Sequence, residues 1–284
     1  MASTVKQEIA IGRKYAPAVA WPTFVLLAAI YAGLALSIYF AVTGLLPYWA
    51  AALINTVILY GTYTVVHDAK HNAIVTDRKY RWVNTLVGHL GAVPLWMLYY
   101  PNKASHMVHH QKCNTEDDPD LYARGPFGVV ALWRIPVTAL GLFNPVAQWR
   151  ACRHYDVKGG PLAATVLTWL AYASVTLGLI AAGYGVEVLV LWFIPFMVGY
   201  SAMLVFFTWI PHYPHTRVGR YADTRVNLWP GANILTQGQH AHLIHHMMPW
   251  IPWYQYDRCF REIRPYLEQN GATIDEGVFP KAAA

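Results

Sequence analysis

Apolar residues in this chain come in long, almost unbroken runs. Four of them, roughly residues 21–46, 48–66, 161–184 and 188–210, are long enough for the about 20 residues that a helix needs to cross the hydrocarbon of a bilayer. A turn around Pro47 joins the first two, and a turn around Gly185 joins the second two. Each pair therefore reads as a helical hairpin that enters and leaves the membrane on one side. Two further apolar stretches, residues 81–100 and 127–149, are broken by His89 and Pro94 and by Arg134, Pro136 and Pro145. They suit interfacial or re-entrant helices better than full spans.

Charge fixes which side the loops face. All 21 Lys and Arg residues fall in residues 1–20, 67–160 or 211–284, and none falls in a span or a hairpin turn. Such segments stay in the cytoplasm, so both termini are expected there, with catalytic segments at 67–160 and 211–270. The net charge of +6 then belongs to one face, where it favours anionic headgroups or an acidic protein partner.

Composition agrees: 56% of residues are hydrophobic and 13% charged, about half the charged share of a soluble domain. The 12 Trp and 19 Tyr fit the aromatic belts found at headgroup level. Cys113, Cys152 and Cys259 follow no metal-binding or disulfide spacing and read as reduced thiols. No cleavable signal peptide is expected. With no internal repeat, the chain reads as one all-α, multi-pass membrane domain over residues 1–284, with a loose tail after about Gly271.

The candidate chemistry lies in the 13 histidines, none of which precedes residue 67. "HDAKH" holds His67 and His71, "HMVHH" holds His106, His109 and His110, and "HLIHH" holds His242, His245 and His246. On a helix, residues i, i+3 and i+4 share a face, so each box can aim its rings at one point. Imidazole binds iron, zinc, copper and nickel. Eight convergent rings exceed what one tetrahedral ion can use, so two metals are expected. A metal transporter fits poorly, since its site would lie near the bilayer midplane and the spans are almost free of ionisable groups. His240 is expected to face away from the third box, His89 to be a core residue and His154 to lie on the surface.

From about Trp21 to Tyr256, with its boxes spaced HxxxH, HxxHH and HxxHH, the chain resembles the membrane fatty acid desaturase-like di-iron oxygenases. The resemblance implies a non-haem di-iron centre that breaks an unactivated C–H bond using O₂ and two electrons from a separate donor. The chain carries no ferredoxin, haem or flavin motif, so a ferredoxin-like partner is expected. The resemblance also implies a ninth ligand shortly after the last span, here His212, with His215 as its substitute or neighbour. Thr208 stands where some members carry an Asn or Asp that meets iron through water. Asp68, Asp118 and Asp120 are expected to orient ligand rings, the latter two alternatively to cap a turn around Pro119.

The run "GQHAHLIHHMMPWIPWYQY" is most similar to the desaturase-type bacterial β-carotene 3-hydroxylases, with carotenoid ketolases next. His240 and Met247 depart from that ending. The similarity implies ring hydroxylation of a membrane-dissolved isoprenoid at a bacterial inner membrane, with ketolation or acyl-lipid desaturation as alternatives. Trp250, Trp253, Tyr254 and Tyr256 are expected either to anchor the catalytic layer at the headgroups or to cover the substrate's path from the lipid.

Overall fold

The computed structural model describes residues 5–280. Helix α1 (Val5–Arg13) precedes the first hairpin, α2 (Trp21–Val42) and α3 (Tyr48–Lys70). Then come α4 (Arg81–Ala92), α5 (Tyr99–Lys112), α6 (Phe127–Phe143) and α7 (Pro145–His154). The second hairpin is α8 (Gly159–Ala181) with α9 (Gly185–His212), and α10 (His242–Met247) and α11 (Tyr256–Gln269) follow. Helices α2, α3, α8 and α9 are each long and apolar enough to cross a membrane. The first span stops at Val42, short of residue 46, where Gly44 takes a left-handed turn (φ 77°). Helices α6 and α7 meet at 91°, as a re-entrant or broken segment would.

Helix α3 is the hub, packed against α2, α4 and α9. Of its most apolar window 44% is buried, against 6% for α8, which lies at the periphery of the bundle. Small and polar side chains let membrane helices approach, and both devices join α3 to α9. A Cβ on Gly199 would stand 2.5 Å from the Thr56 carbonyl oxygen. Asn55, fully buried, donates from Nδ2 to the Leu191 carbonyl at 2.7 Å.

Helix α9 is not uniform. Residues Val188–Phe193 and Val205–Trp209 form widened turns bonded i→i+5, and Val130–Arg134 in α6 does the same. Each widened turn ends two residues before a proline, at Pro195, Pro211 and Pro136. Proline lacks an N–H and its ring collides with the carbonyl four residues back; an extra residue in the turn accommodates both defects. The second of these turns sets the rotation at which His212 leaves the span.

The described residues depart from an all-helical chain at a two-stranded ladder and at a single bridge between Val19 and Val75. Residues Ile274–Glu276 (β2) pair in parallel with Val226–Leu228 (β1), and Arg225 is ion-paired with Asp275. The tail after Gly271, expected to be loose, is thus held through this ladder, because its backbone finds partners in the segment that follows His212. Residues 281–284 of that tail lie outside the described residues. Helix α1 packs on α11, with fully buried Glu8 accepting two hydrogen bonds from Arg220 and one from the Tyr221 hydroxyl.

Candidate metal centre

Four elements end at one place. His67 sits in the last turn of α3 and His71 is its C-terminal cap. The second box occupies α5, His212 ends α9, and the third box opens α10. The turn before α10 needs glycine at 238, where φ is 82° and a Cβ would lie 2.3 Å from the Trp253 carbonyl oxygen. That turn folds the third box back beneath α3 and α5.

Candidate ligand atoms of His67, His71, His106 and His245 all lie within 4.8 Å of one another. So do those of His109, Cys113, His212 and His246, and those of His110, His245 and His246. His242 is outside these groups, although its ring centroid is 4.8 Å from that of His246 and 4.9 Å from that of His212. His71 and His106 approach Nε2 to Nε2 at 2.8 Å, and His110 and His245 at 2.9 Å. Two nitrogens bound to one ion at about 2.1 Å and at right angles sit about 3 Å apart.

The rings fit bound metal by a second measure. Both nitrogens of buried His67 and Nε2 of His246 have no hydrogen-bonding partner among the described residues. An unsatisfied buried polar atom is costly, and a metal ion would remove that cost at one nitrogen of each ring.

Protonation is arranged for the same end. Burial and neighbouring imidazoles hold His242, His245 and His246 well below the ordinary histidine range. Burial, with Lys70 and adjacent rings, does the same to His71 and His106. Burial beside His109 brings His110 down to about 3. These rings are neutral, as ligands must be. His109 is the exception, because Asp120 and Asp118 outweigh its burial and raise it.

Four of the rings have a definite neighbour at Nδ1. His109 Nδ1 lies 2.8 Å from Asp118 Oδ1 and 3.8 Å from Asp120 Oδ2. Asp118 Oδ1 also accepts from the Asp120 N–H at 2.9 Å, so one carboxylate meets the ring and caps the turn around Pro119. His242 Nδ1 faces Gln239 Oε1 at 2.5 Å, His245 Nδ1 the Tyr256 hydroxyl at 3.0 Å, and His212 Nδ1 the Cys113 sulfur at 3.4 Å.

Two expected partners stand elsewhere. Asp68, next to His67 in sequence, instead accepts from the Thr23 hydroxyl at 3.0 Å and the Trp253 N–H at 3.2 Å. It clasps the start of α2 to the segment after the third box, because adjacent helical residues point to different faces. His215 stacks on His212 with centroids 5.8 Å apart, outside the ligand groups, in a left-handed backbone conformation (φ 63°). His240 pairs with Asp257 at 3.3 Å, His89 packs on Tyr99 and Tyr100, and exposed His154 lies against Tyr155. Thr208 is buried within the second widened turn of α9.

Cys113, Gln239 and Tyr256 were not singled out as ring partners from the sequence. Gln239 carried a signal, three residues before His242; Cys113 and Tyr256 reach their rings only through folding.

Residues 43–277 match the family model described as fatty acid desaturase. The β-carotene ketolase of Paracoccus sp. (strain PC1) is 26% identical over 206 residues, covering 70% of this chain and 73% of that protein. The sn-1 oleoyl-lipid 12-desaturase of Anabaena variabilis is 27% identical over 234 residues, covering 72% of this chain and 65% of that protein. The Delta(12) fatty acid dehydrogenase of Crepis alpina is 25% identical over 241 residues, covering 69% and 62%. With four spans converging on a histidine cluster of metal-binding geometry and a family match over most of its length, the chain belongs to the fatty acid desaturase family, as a membrane-bound di-iron oxidoreductase of the desaturase and hydroxylase class.

Proposed function

We propose that the chain oxygenates the ring of a carotenoid dissolved in the bilayer, with His67, His71, His106, His109, His110, His212, His242, His245 and His246 holding two iron ions. The observation that carries the oxidative chemistry is the clustering of candidate ligand atoms within 4.8 Å at the shared end of the spans. When bound, the iron pair supplies O₂ activation and C–H bond cleavage. The protein's own part is to hold the imidazoles in place through Asp118, Gln239, Tyr256 and Cys113.

The relatives refine the substrate reading. Ketolases from two Paracoccus strains are covered over 73% and 72% of their length, against 65% for the Anabaena desaturase. The two ketolases support ring ketolation as the carotenoid reaction, and the 3-hydroxylation implied by the third-box ending has no support among these relatives. The second reading is acyl-lipid desaturation, supported by the desaturases of cyanobacterial and plant origin. Either reaction needs two external electrons per O₂, and a ferredoxin-like acidic donor suits the basic cytoplasmic face. Turnover with iron retained should fall as salt screens that contact; salt-independent turnover would remove the docking surface from the account.

Expression in bacteria that accumulate β-carotene, with His245→Ala as control, tests the reading. New keto or hydroxy carotenoids that vanish in the variant support it and tell the two products apart. Unchanged carotene from iron-loaded protein, with new double bonds in the cell's lipids, would replace it with the desaturase reading.

A further inference from the structure

The loop that leaves the second box is stitched to the loop that follows the last span. Asn114, in a left-handed conformation (φ 61°), donates from Nδ2 to the carbonyls of Arg217 and Asp223, both at 2.7 Å. Its backbone N–H reaches Asp118 Oδ2 at 2.7 Å. This stitching carries Cys113, 3% exposed, to within 3.4 Å of His212 Nδ1, with the Asp223 carbonyl 3.8 Å from the same sulfur.

An imidazole has two nitrogens pointing apart. With Nδ1 against Cys113, His212 keeps Nε2 for the side where the rings of His109, His242 and His246 stand, at centroid distances of 4.7, 4.9 and 4.9 Å. A ring that ligates through Nε2 carries its proton on Nδ1, which needs an acceptor. A thiol sulfur accepts weakly and donates weakly, and here both capacities have a partner: Nδ1–H to sulfur, and S–H to the Asp223 carbonyl.

We propose that Cys113 is a positioning residue of the metal centre: its sulfur receives the His212 Nδ1–H and fixes the tautomer that presents Nε2 to the ion shared with His109 and His246. The inference rests on the reading that this cluster holds metal. His109, His242 and His245 have a carboxylate, an amide oxygen and a phenol at the equivalent nitrogen, so His212 has the softest support of the four.

The test loads purified metal-free full-length chain with cobalt(II), against a competing chelator, for wild type, Cys113→Ser and Cys113→Val. Wild type is expected to bind two cobalt ions per chain. Cys113→Val should weaken one of the two by about tenfold or more, the usual range for lost support of a ligand histidine. Cys113→Ser, which keeps an acceptor and a donor, should stay closer to wild type, with a shifted cobalt ligand-field spectrum. Retained helicity by circular dichroism separates these effects from misfolding, and Cys113→Ala replaces the valine variant if the latter does not fold.

Equal affinities in all three proteins would overturn the proposal, as would equal losses in the serine and valine variants. A thiolate-to-cobalt charge-transfer band in wild type, absent from Cys113→Ser, would also overturn it, since sulfur would then be a ligand. Wild type that binds no cobalt would overturn the metal centre itself.

Discussion

Individual side chains decide how strongly the cluster can hold metal. Asp118 receives the His109 Nδ1–H and two backbone N–H groups. Asp118→Asn replaces an ionised acceptor with a neutral one, and iron affinity should fall by about 10- to 100-fold, read as iron retained per chain after dialysis against a chelator. Unchanged retention would show that Asp118 only caps its turn. Acid gives a second test, on metal-free protein. His110 titrates near 3 in the fold against 6.5 when unperturbed, so the unfolded chain binds more protons between those values. Stability is then fully present above about pH 6.5 and lost as pH falls toward 3. His71, His106, His242, His245 and His246 shift the same way. The thermal midpoint should therefore decline from pH 7 to pH 5, and a flat profile would contradict the buried, neutral cluster. The eight box histidines were legible because helical spacing alone aligns their rings. Their outward partners were legible only where the chain is local: Asp118 and Gln239 lie within nine and three residues of the rings they meet, whereas Tyr256 and Cys113 are delivered by tertiary structure. Asp68 shows the converse error, in which nearness in sequence was read as contact.

Helices place those side chains, and two local features do most of the placing. Gly199 lets α9 lie against the backbone of α3. Gly199→Leu has no flexible neighbour to displace, so it should cost about 1–3 kcal/mol, measured as a lower thermal midpoint in detergent. A neutral outcome would mean that the two spans can part freely. Pro211 and the widened turn before it set the angle of His212. Pro211→Ala restores an N–H and permits regular i→i+4 bonding over Val205–Trp209, which would turn His212 by about 100°, the angle of one residue. Loss of one metal with helicity retained is the expected result; two metals at wild-type affinity would show that the loop after His212 alone holds the ring. The spans themselves were legible to within a few residues, since hydrocarbon thickness fixes their length. The widened turns were not, although prolines at 136, 195 and 211 marked where regular bonding fails. The pairing of β1 with β2 was missed because three residues on each strand leave no periodic pattern to read.

As a whole, the molecule puts its lysines, arginines and histidines at one end of four apolar helices and almost none at the other. From that asymmetry we propose that both termini are cytoplasmic. A fluorescent protein that folds only there should light up when fused after Ala284 and stay dark when inserted at Gly183, and the reverse pattern would invert the topology. On that proposed topology the metal centre would lie where a soluble electron donor could reach it while an apolar substrate stays in lipid. If the three histidine boxes and His212 hold a pair of iron ions, iron counting with Mössbauer spectroscopy on the purified, iron-reconstituted chain will show it. About two iron atoms per chain are expected, as a magnetically coupled pair with nitrogen-rich ligation, halved or lost in His245→Ala, whose ring belongs to two of the three ligand groups. A single uncoupled iron, or iron content indifferent to His245, would contradict it.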